Sequence, residues 1–305
     1  MAAGSRSSLL ALAGAILISL CGVAGAQAPP GSQPLPPPDA ADRADPNRID
    51  LRTEANVEIL GIGKDDDTGW VVSSAGDVNG DRRDDLIIGA RRADAAGRAD
   101  AGTAYVVFGR TDLGEVDLAK LGSGGFAIAG AGAGDTAGFA VSGAGDVNGD
   151  GLDDVLVGAP QADPGDRSNA GAAYVVFGKA SADPVDLAVL GAGGISIAGA
   201  AGADETGFAV GRAGDLNGDS RADVVVGAPA ADPNGRYKAG TAWVIFGGSD
   251  AAALDLASLG SRGFRIDGSA FGYAGWSVNG VDDLNGDGLG EIAIGAPFVD
   301  AGAAR

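Results

Sequence analysis

The sequence predicts an all-β protein, a β-propeller of four-stranded antiparallel blades, on three observations. Short β-branched segments recur along the chain, Gly, Pro, Asn and Asp separate them, and the whole pattern returns about every 69 residues. Four short strands in a repeat of this length make one blade with generous loops, whereas a β-solenoid uses shorter repeats and a sandwich has no reason to repeat its sequence.

Three segments are expected. Residues 1–28 read as a secretory signal: Arg6 is the basic region, Leu9 to Leu20 the apolar segment, and Ala24-Gly25-Ala26 or Ala26-Gln27-Ala28 the small-residue cleavage site. The mature chain is therefore expected to begin at Gln27 or Pro29, with no transmembrane segment left after cleavage. Cys21 lies inside this stretch, but Leu20 before it departs from the small residue a lipoprotein site would want. Residues 29–50, carrying Pro29-Pro30 and Pro36-Pro37-Pro38, lack apolar periodicity and read as an extended linker. Residues 51–305 hold the repeats.

Each unit runs through a strand, a Gly-rich turn, a second strand, an acidic loop, a third strand ending in Gly-Ala, a polar excursion and a fourth strand ending in Phe-Gly. In the second unit the strands are Phe126 to Gly130, Gly138 to Ser142, Asp154 to Pro160 and Ala172 to Gly178; the third repeats them at Ile195 to Gly199, Gly207 to Gly211, Asp223 to Pro229 and Thr241 to Gly247. The one helical signal is a short turn at Val116 to Leu121, Val185 to Leu190 and Leu254 to Leu259. Trp70, Trp243 and Trp276 fall at strand positions and are read as blade packing.

The acidic loop occurs four times, and its first residues, Asp77, Asp146, Asp215 and Asp283, lie 69, 69 and 68 positions apart. Position 3 is Asn79, Asn148, Asn217 and Asn285; position 5 is Asp81, Asp150, Asp219 and Asp287; position 9 is Asp85, Asp154, Asp223 and Glu291. Oxygen side chains at positions 1, 3, 5 and 9 of a tight loop can converge on a hard cation, which takes six to eight oxygen ligands. One such loop could be a hydrogen-bonded hairpin built from turn formers. Four in register point to Ca²⁺, because a turn alone has no evident need of a carboxylate at position 9. An EF-hand is excluded, since position 12 carries Ile88, Val157, Val226 and Ile294 where that motif needs a bidentate Glu. Position 6 favours Gly and is Gly151 and Gly288 in two copies but Arg82 and Ser220 in the others, so the first and third sites are expected to bind more weakly.

Composition narrows the function classes. A net charge of −20 argues against nucleic-acid binding and against attraction to anionic membrane. The chain has no His, and its one Cys lies in the signal, which excludes Ser-His-Asp and Cys-His catalysis and His-ligated zinc in the mature chain. An exported protein without disulfides takes its stability from packing, repetition or metal.

The repeat resembles the FG-GAP repeats of the integrin α-chain β-propeller. Phe108-Gly109, Phe177-Gly178 and Phe246-Gly247 match the first half of that name; Gly158-Ala159-Pro160, Gly227-Ala228-Pro229 and Gly295-Ala296-Pro297 match the second, with Gly89-Ala90-Arg91 a departure. The resemblance covers roughly residues 57 to 305. It implies up to four Ca²⁺ held in the hairpins between first and second strands, with the position-7 carbonyls of Arg83, Leu152, Arg221 and Leu289 as further ligands. It also implies that each repeat supplies the outer strand of one blade and the inner strands of the next. Propellers of this family close with seven blades, so the four repeats are expected to belong to a longer ring that continues beyond Arg305.

The expected function is that of a secreted or cell-surface calcium-binding propeller, non-catalytic, acting in adhesion or recognition of an extracellular protein or polysaccharide. Alternatives from other classes are a substrate-positioning domain of a larger secreted hydrolase and a structural surface-layer spacer. The absence of an Asn-x-Ser/Thr sequon and the Ala- and Gly-rich composition favour bacterial export, to the surface, the medium or the periplasm.

Overall fold

The computed structural model describes residues 57–111, 114–281, 284, 286 and 289–299, together with the backbone of Ile16–Ser19. The rest of the expected signal and linker lies outside the described residues. Among those described there is no α-helix, and no helix is long and apolar enough to cross a membrane.

In chain order the strands are β1 (Ile16–Ser19), β2 (Val57–Leu60), β3 (Thr68–Gly76), β4 (Asp85–Ala90), β5 (Thr103–Val107), β6 (Glu115–Asp117), β7 (Gly125–Ala129), β8 (Ala140–Gly145), β9 (Asp154–Ala159) and β10 (Ala172–Val176). They continue as β11 (Val185–Asp186), β12 (Gly194–Ala198), β13 (Ala209–Gly214), β14 (Asp223–Ala228), β15 (Thr241–Ile245), β16 (Leu254–Asp255), β17 (Gly263–Asp267), β18 (Ser277–Val281) and β19 (Glu291–Gly295). Three antiparallel blades result, β3-β4-β5-β7, β8-β9-β10-β12 and β13-β14-β15-β17, followed by the hairpin β18-β19. The outer strand of each blade opens the next sequence repeat, as the resemblance implies.

The segments expected to form helical turns do so only in part. Each begins with a short parallel strand, β6 on β2, β11 on β7 and β16 on β12, the last two pairing with the outer strand of the preceding blade, and only then enters two 3-10 turns. Ion pairs fasten the last two of these added strands: Arg98 Nη2 lies 2.7 Å from Asp186 Oδ1, and Arg167 Nη1 lies 3.0 Å from Asp255 Oδ2. The added strand is invisible in propensity because its two or three residues satisfy no periodicity test.

Stacked blades explain the composition. Side chains alternate along a strand, and here both faces are covered, so successive residues enter successive inter-blade layers. Val155 and Val157 pack with Ile87, Val106 and Phe126, while Leu156 packs with Ile195, Val224 and Trp243. Strands β9 and β14 are buried at every residue, which is why they read as unbroken Val-Leu-Val and Val-Val-Val runs.

The Gly of each Gly-Ala tag sits where two blades touch. A Cβ on Gly89, Gly158 or Gly227 would collide with the carbonyl oxygen of Gly138, Gly207 or Gly275 in the next blade. Those same residues donate N–H groups to Gly158, Gly227 and Gly295 at 3.1, 3.0 and 3.1 Å. Glycine thus forms a continuous backbone seam from blade to blade, and this seam places the acidic loops side by side at one end of the inner strands.

Candidate functional site

Each of the first three acidic loops begins at a β-bulge. The register shifts just before Gly76, Gly145 and Gly214, and these residues have φ of +75°, +74° and +75°, a conformation that favours glycine. The next residue is loop position 1, and its carboxylate gathers the turn. Asp77 Oδ1 accepts from the N–H of Gly80 (2.8 Å) and Asp81 (3.0 Å), and Oδ2 from Arg82 (2.7 Å). Asn79 Oδ1 accepts from Asp81 N–H and Asp81 Oδ1 from Arg83 N–H, at 2.8 and 2.9 Å.

The other two described loops repeat this bond for bond. Asp146 takes Gly149, Asp150 and Gly151, with Asn148 and Asp150 holding the N–H groups of Asp150 and Leu152. Asp215 takes Gly218, Asp219 and Ser220, with Asn217 and Asp219 holding Asp219 and Arg221. Position 6 has φ of +67° at Arg82, +91° at Gly151 and +67° at Ser220. The non-glycine copies therefore carry the left-handed strain that the sequence implied, roughly 1 kcal/mol each.

Position 9 departs from expectation. Asp85, Asp154 and Asp223 are buried at 3%, 0% and 0% exposure. Each bonds two backbone N–H groups: Asp154 Oδ2 accepts from Val147 (2.9 Å) and Oδ1 from Gly178 (2.8 Å). Asp85 does the same for Val78 and Gly109, and Asp223 for Leu216 and Gly247. The ninth carboxylate is thus a strut that ties the loop to the end of the Phe-Gly strand, β5, β10 or β15, so it has a use that needs no metal, contrary to the reading above. Its partners Gly109, Gly178 and Gly247 are the glycines of the Phe-Gly tags, each 24 residues after its Asp. That constant spacing was the sequence signal for the strut.

In the fourth copy Glu291 Oε2 accepts from Leu284 N–H at 2.6 Å, which reproduces half of the strut. Asp283, Asn285 and Asp287 of that loop lie outside the described residues, and Leu289 is exposed.

The side-chain oxygens of positions 1, 3, 5 and 9 do not form a metal cluster in the described loops. No three acidic side chains are gathered at metal-ligand distances among the described residues. The position-5 carboxylates take other partners, Asp150 Oδ2 accepting from Asn148 Nδ2 at 2.8 Å and Asp81 Oδ2 lying 3.4 Å from Arg83 Nη1. The donor set of carboxylates and one amide is that of a hard-cation site, and oxygens that accept a single N–H, such as Asp77 Oδ2 and Asn79 Oδ1, have a second lone pair to offer.

Electrostatics brings out the mutual proximity. Burial pushes the Asp154 carboxyl up to about 7, the two backbone N–H groups pull it down, and the charges of Asp150 and Asp146 raise it again. Asp85 rises to about 6 by the same causes, with Asp81 and Asp77 as the neighbours, and Asp223 is raised likewise. A carboxyl raised in the fold binds its proton more tightly there than in the unfolded chain. Without a cation, stability therefore increases as pH falls from about 7 toward about 4. In chelator-treated protein the melting temperature is expected to rise between pH 7.5 and pH 5; a fall over that interval would contradict the assignment.

The tryptophans divide. Trp243 is buried at 7% exposure, as blade packing requires, but Trp70 and Trp276 are 50% and 42% exposed. They end a row, Trp70, Phe139, Phe208 and Trp276, whose ring centroids are 6.0, 5.1 and 4.9 Å apart. This row crosses the blades at the start of the inner strands, opposite the acidic loops.

The chain matches the family model described as "FG-GAP repeat" at residues 68–107, 137–176, 206–245 and 274–305. It is 33% identical over 156 residues to integrin alpha pat-2 of Caenorhabditis elegans, covering 50% of this chain and 12% of that one. It is 30% identical over 225 residues to the phosphatidylinositol-glycan-specific phospholipase D of Bos taurus, covering 71% of this chain and 25% of that one. A third relative is integrin alpha-M of Mus musculus, 39% identical over 88 residues, 27% of this chain and 7% of the relative. The chain thus spans a quarter or less of these relatives' length. Three blades in register, the seam through the Gly-Ala tags and the strut through the Phe-Gly tags place the chain in the FG-GAP repeat family, with blades resembling those of the integrin α propeller.

Proposed function

We propose that the chain is a calcium-stabilised, non-catalytic propeller that works outside the cytoplasm as a recognition or adhesion module. The observation that carries this is the identical pattern of three carboxylates and an amide in three successive loops, with the deepest carboxylate raised toward its protonated form by burial and by its two acidic neighbours, a cost that a cation would relieve. The carboxylates at positions 1, 5 and 9, the amide oxygen at position 3 and the position-7 carbonyl would hold the ion. What Ca²⁺ supplies is positive charge among groups that otherwise repel. The residues of the chain do the rest: they close the turn, tie it to the Phe-Gly strand and join neighbouring blades.

The partner is an extracellular protein or polysaccharide, and the exposed aromatic row offers contact area at the opposite rim. The absence of His from the sequence supports a non-catalytic role. A second reading, a positioning domain in a larger hydrolase, has its own support, because the alignment to the phospholipase D runs over 225 residues.

Chelation tests the calcium reading. Calcium at about one hundred times its dissociation constant stabilises by about 2.7 kcal/mol per site, so EGTA is expected to lower the melting temperature by several degrees and to expose the loops to protease. An unchanged melting curve and digestion pattern would contradict it.

A further inference from the structure

We propose that Asp153 is a positioning residue that joins the first and second acidic loops, so that they take up calcium as a coupled pair; the inference rests on the calcium reading above. Asp153 stands at position 8 of the second loop, outside the oxygen set. Its carboxylate reaches into the neighbouring blade and accepts the Asp77 N–H on Oδ2 at 2.8 Å, while its own N–H donates to the Asp77 carbonyl at 3.1 Å. Gly76 makes room, because a Cβ there would collide with the Asp153 carboxylate. A further bond, Lys179 N–H to the Val78 carbonyl at 2.8 Å, closes the same junction.

The first residue of one loop is thereby clamped from both sides by a residue one peptide bond away from Asp154, the strut of the next. An ion that fixes Asp154 also fixes the peptide that orients Asp77, and an ion at Asp77 returns the favour, since coupling between two binding sites is reciprocal. The junction between the second and third loops keeps the outer bond, Gly248 N–H to the Val147 carbonyl at 2.9 Å, but only half of the clamp on the first loop residue. Ala222 N–H donates to the Asp146 carbonyl at 2.9 Å, but Ala222 has no carboxylate to take the Asp146 N–H. Beside Gly145 stands the Arg212 guanidinium instead.

Calcium titration of metal-stripped full-length protein, followed by the NMR signals of the Gly80, Gly149 and Gly218 amides, reads each loop separately. Asp153→Ala is expected to raise the calcium midpoint of Gly80 about tenfold, within the usual range of coupling between sites, and to leave that of Gly218 unchanged. Asp153→Asn keeps an oxygen for the Asp77 N–H and should stay within about twofold of the parent. Asp150→Ala disables the second site with both link bonds intact, and it too should raise the Gly80 midpoint about tenfold by reciprocity. A Gly80 midpoint equal to the parent's in Asp150→Ala or Asp153→Ala overturns the coupling while leaving the calcium reading in place. No calcium response from any of the three glycines in the parent overturns both. Should Asp153→Ala fail to fold, Asp150→Ala decides.

Discussion

Asp154→Ala is expected to destabilise the calcium-free protein at neutral pH by about 3 kcal/mol, whereas Asp150→Ala should change it by less than about 1 kcal/mol. The two residues are of the same type and belong to the same loop, but they differ in what they hold. Asp154 is fully buried and takes the N–H groups of Val147 and Gly178, at 2.9 and 2.8 Å, which alanine would leave without an acceptor. Each buried orphan costs about 1–3 kcal/mol, offset in part by release of a carboxyl whose burial raised it to about 7. Asp150 is exposed and accepts from Leu152 N–H and Asn148 Nδ2, which water can replace. Urea unfolding in EGTA measures both; equal effects would show that position 9 is not a strut.

Gly158→Ala is expected to be comparably damaging, at about 3–5 kcal/mol, for a reason unrelated to charge. The added Cβ would overlap the Gly207 carbonyl oxygen of the neighbouring blade, and that atom is backbone within the seam, so relief requires the blades to part. Gly165→Ala provides the control. Gly165 has φ of +59° with nothing within 4 Å of a built Cβ, so alanine there meets only backbone strain of roughly 1 kcal/mol. Similar losses at the two positions would remove the close-approach account of the Gly-Ala tag.

How much of this was legible in the sequence depends on the range of the interaction involved. The strands were legible because both faces are covered, which makes runs such as Val155 to Val157 apolar without interruption. The loop turns were legible because their hydrogen bonds span only two to five residues, from Asp77 to Arg82 for example. The Phe-Gly and Gly-Ala tags were visible as patterns, but their purpose was not: Gly178 answers to a carboxylate 24 residues earlier, and Gly158 to a carbonyl in another blade. The Asp77 to Asp153 link, across 76 residues, left no local trace. Trp70 and Trp276 pack on Phe139 and Phe208 as read, but their exposure was not legible, because a strand-like pattern does not say which end of a blade is open to solvent.

The central claim is that these loops hold calcium, and isothermal titration of metal-stripped protein with calcium chloride tests it most directly. The account predicts uptake of at least three equivalents at micromolar to millimolar calcium, with Asp150→Ala losing one equivalent and retaining the rest. Heats no larger than dilution, in parent and variant alike, would show that the loops are turns held by their own hydrogen bonds and would contradict the calcium reading.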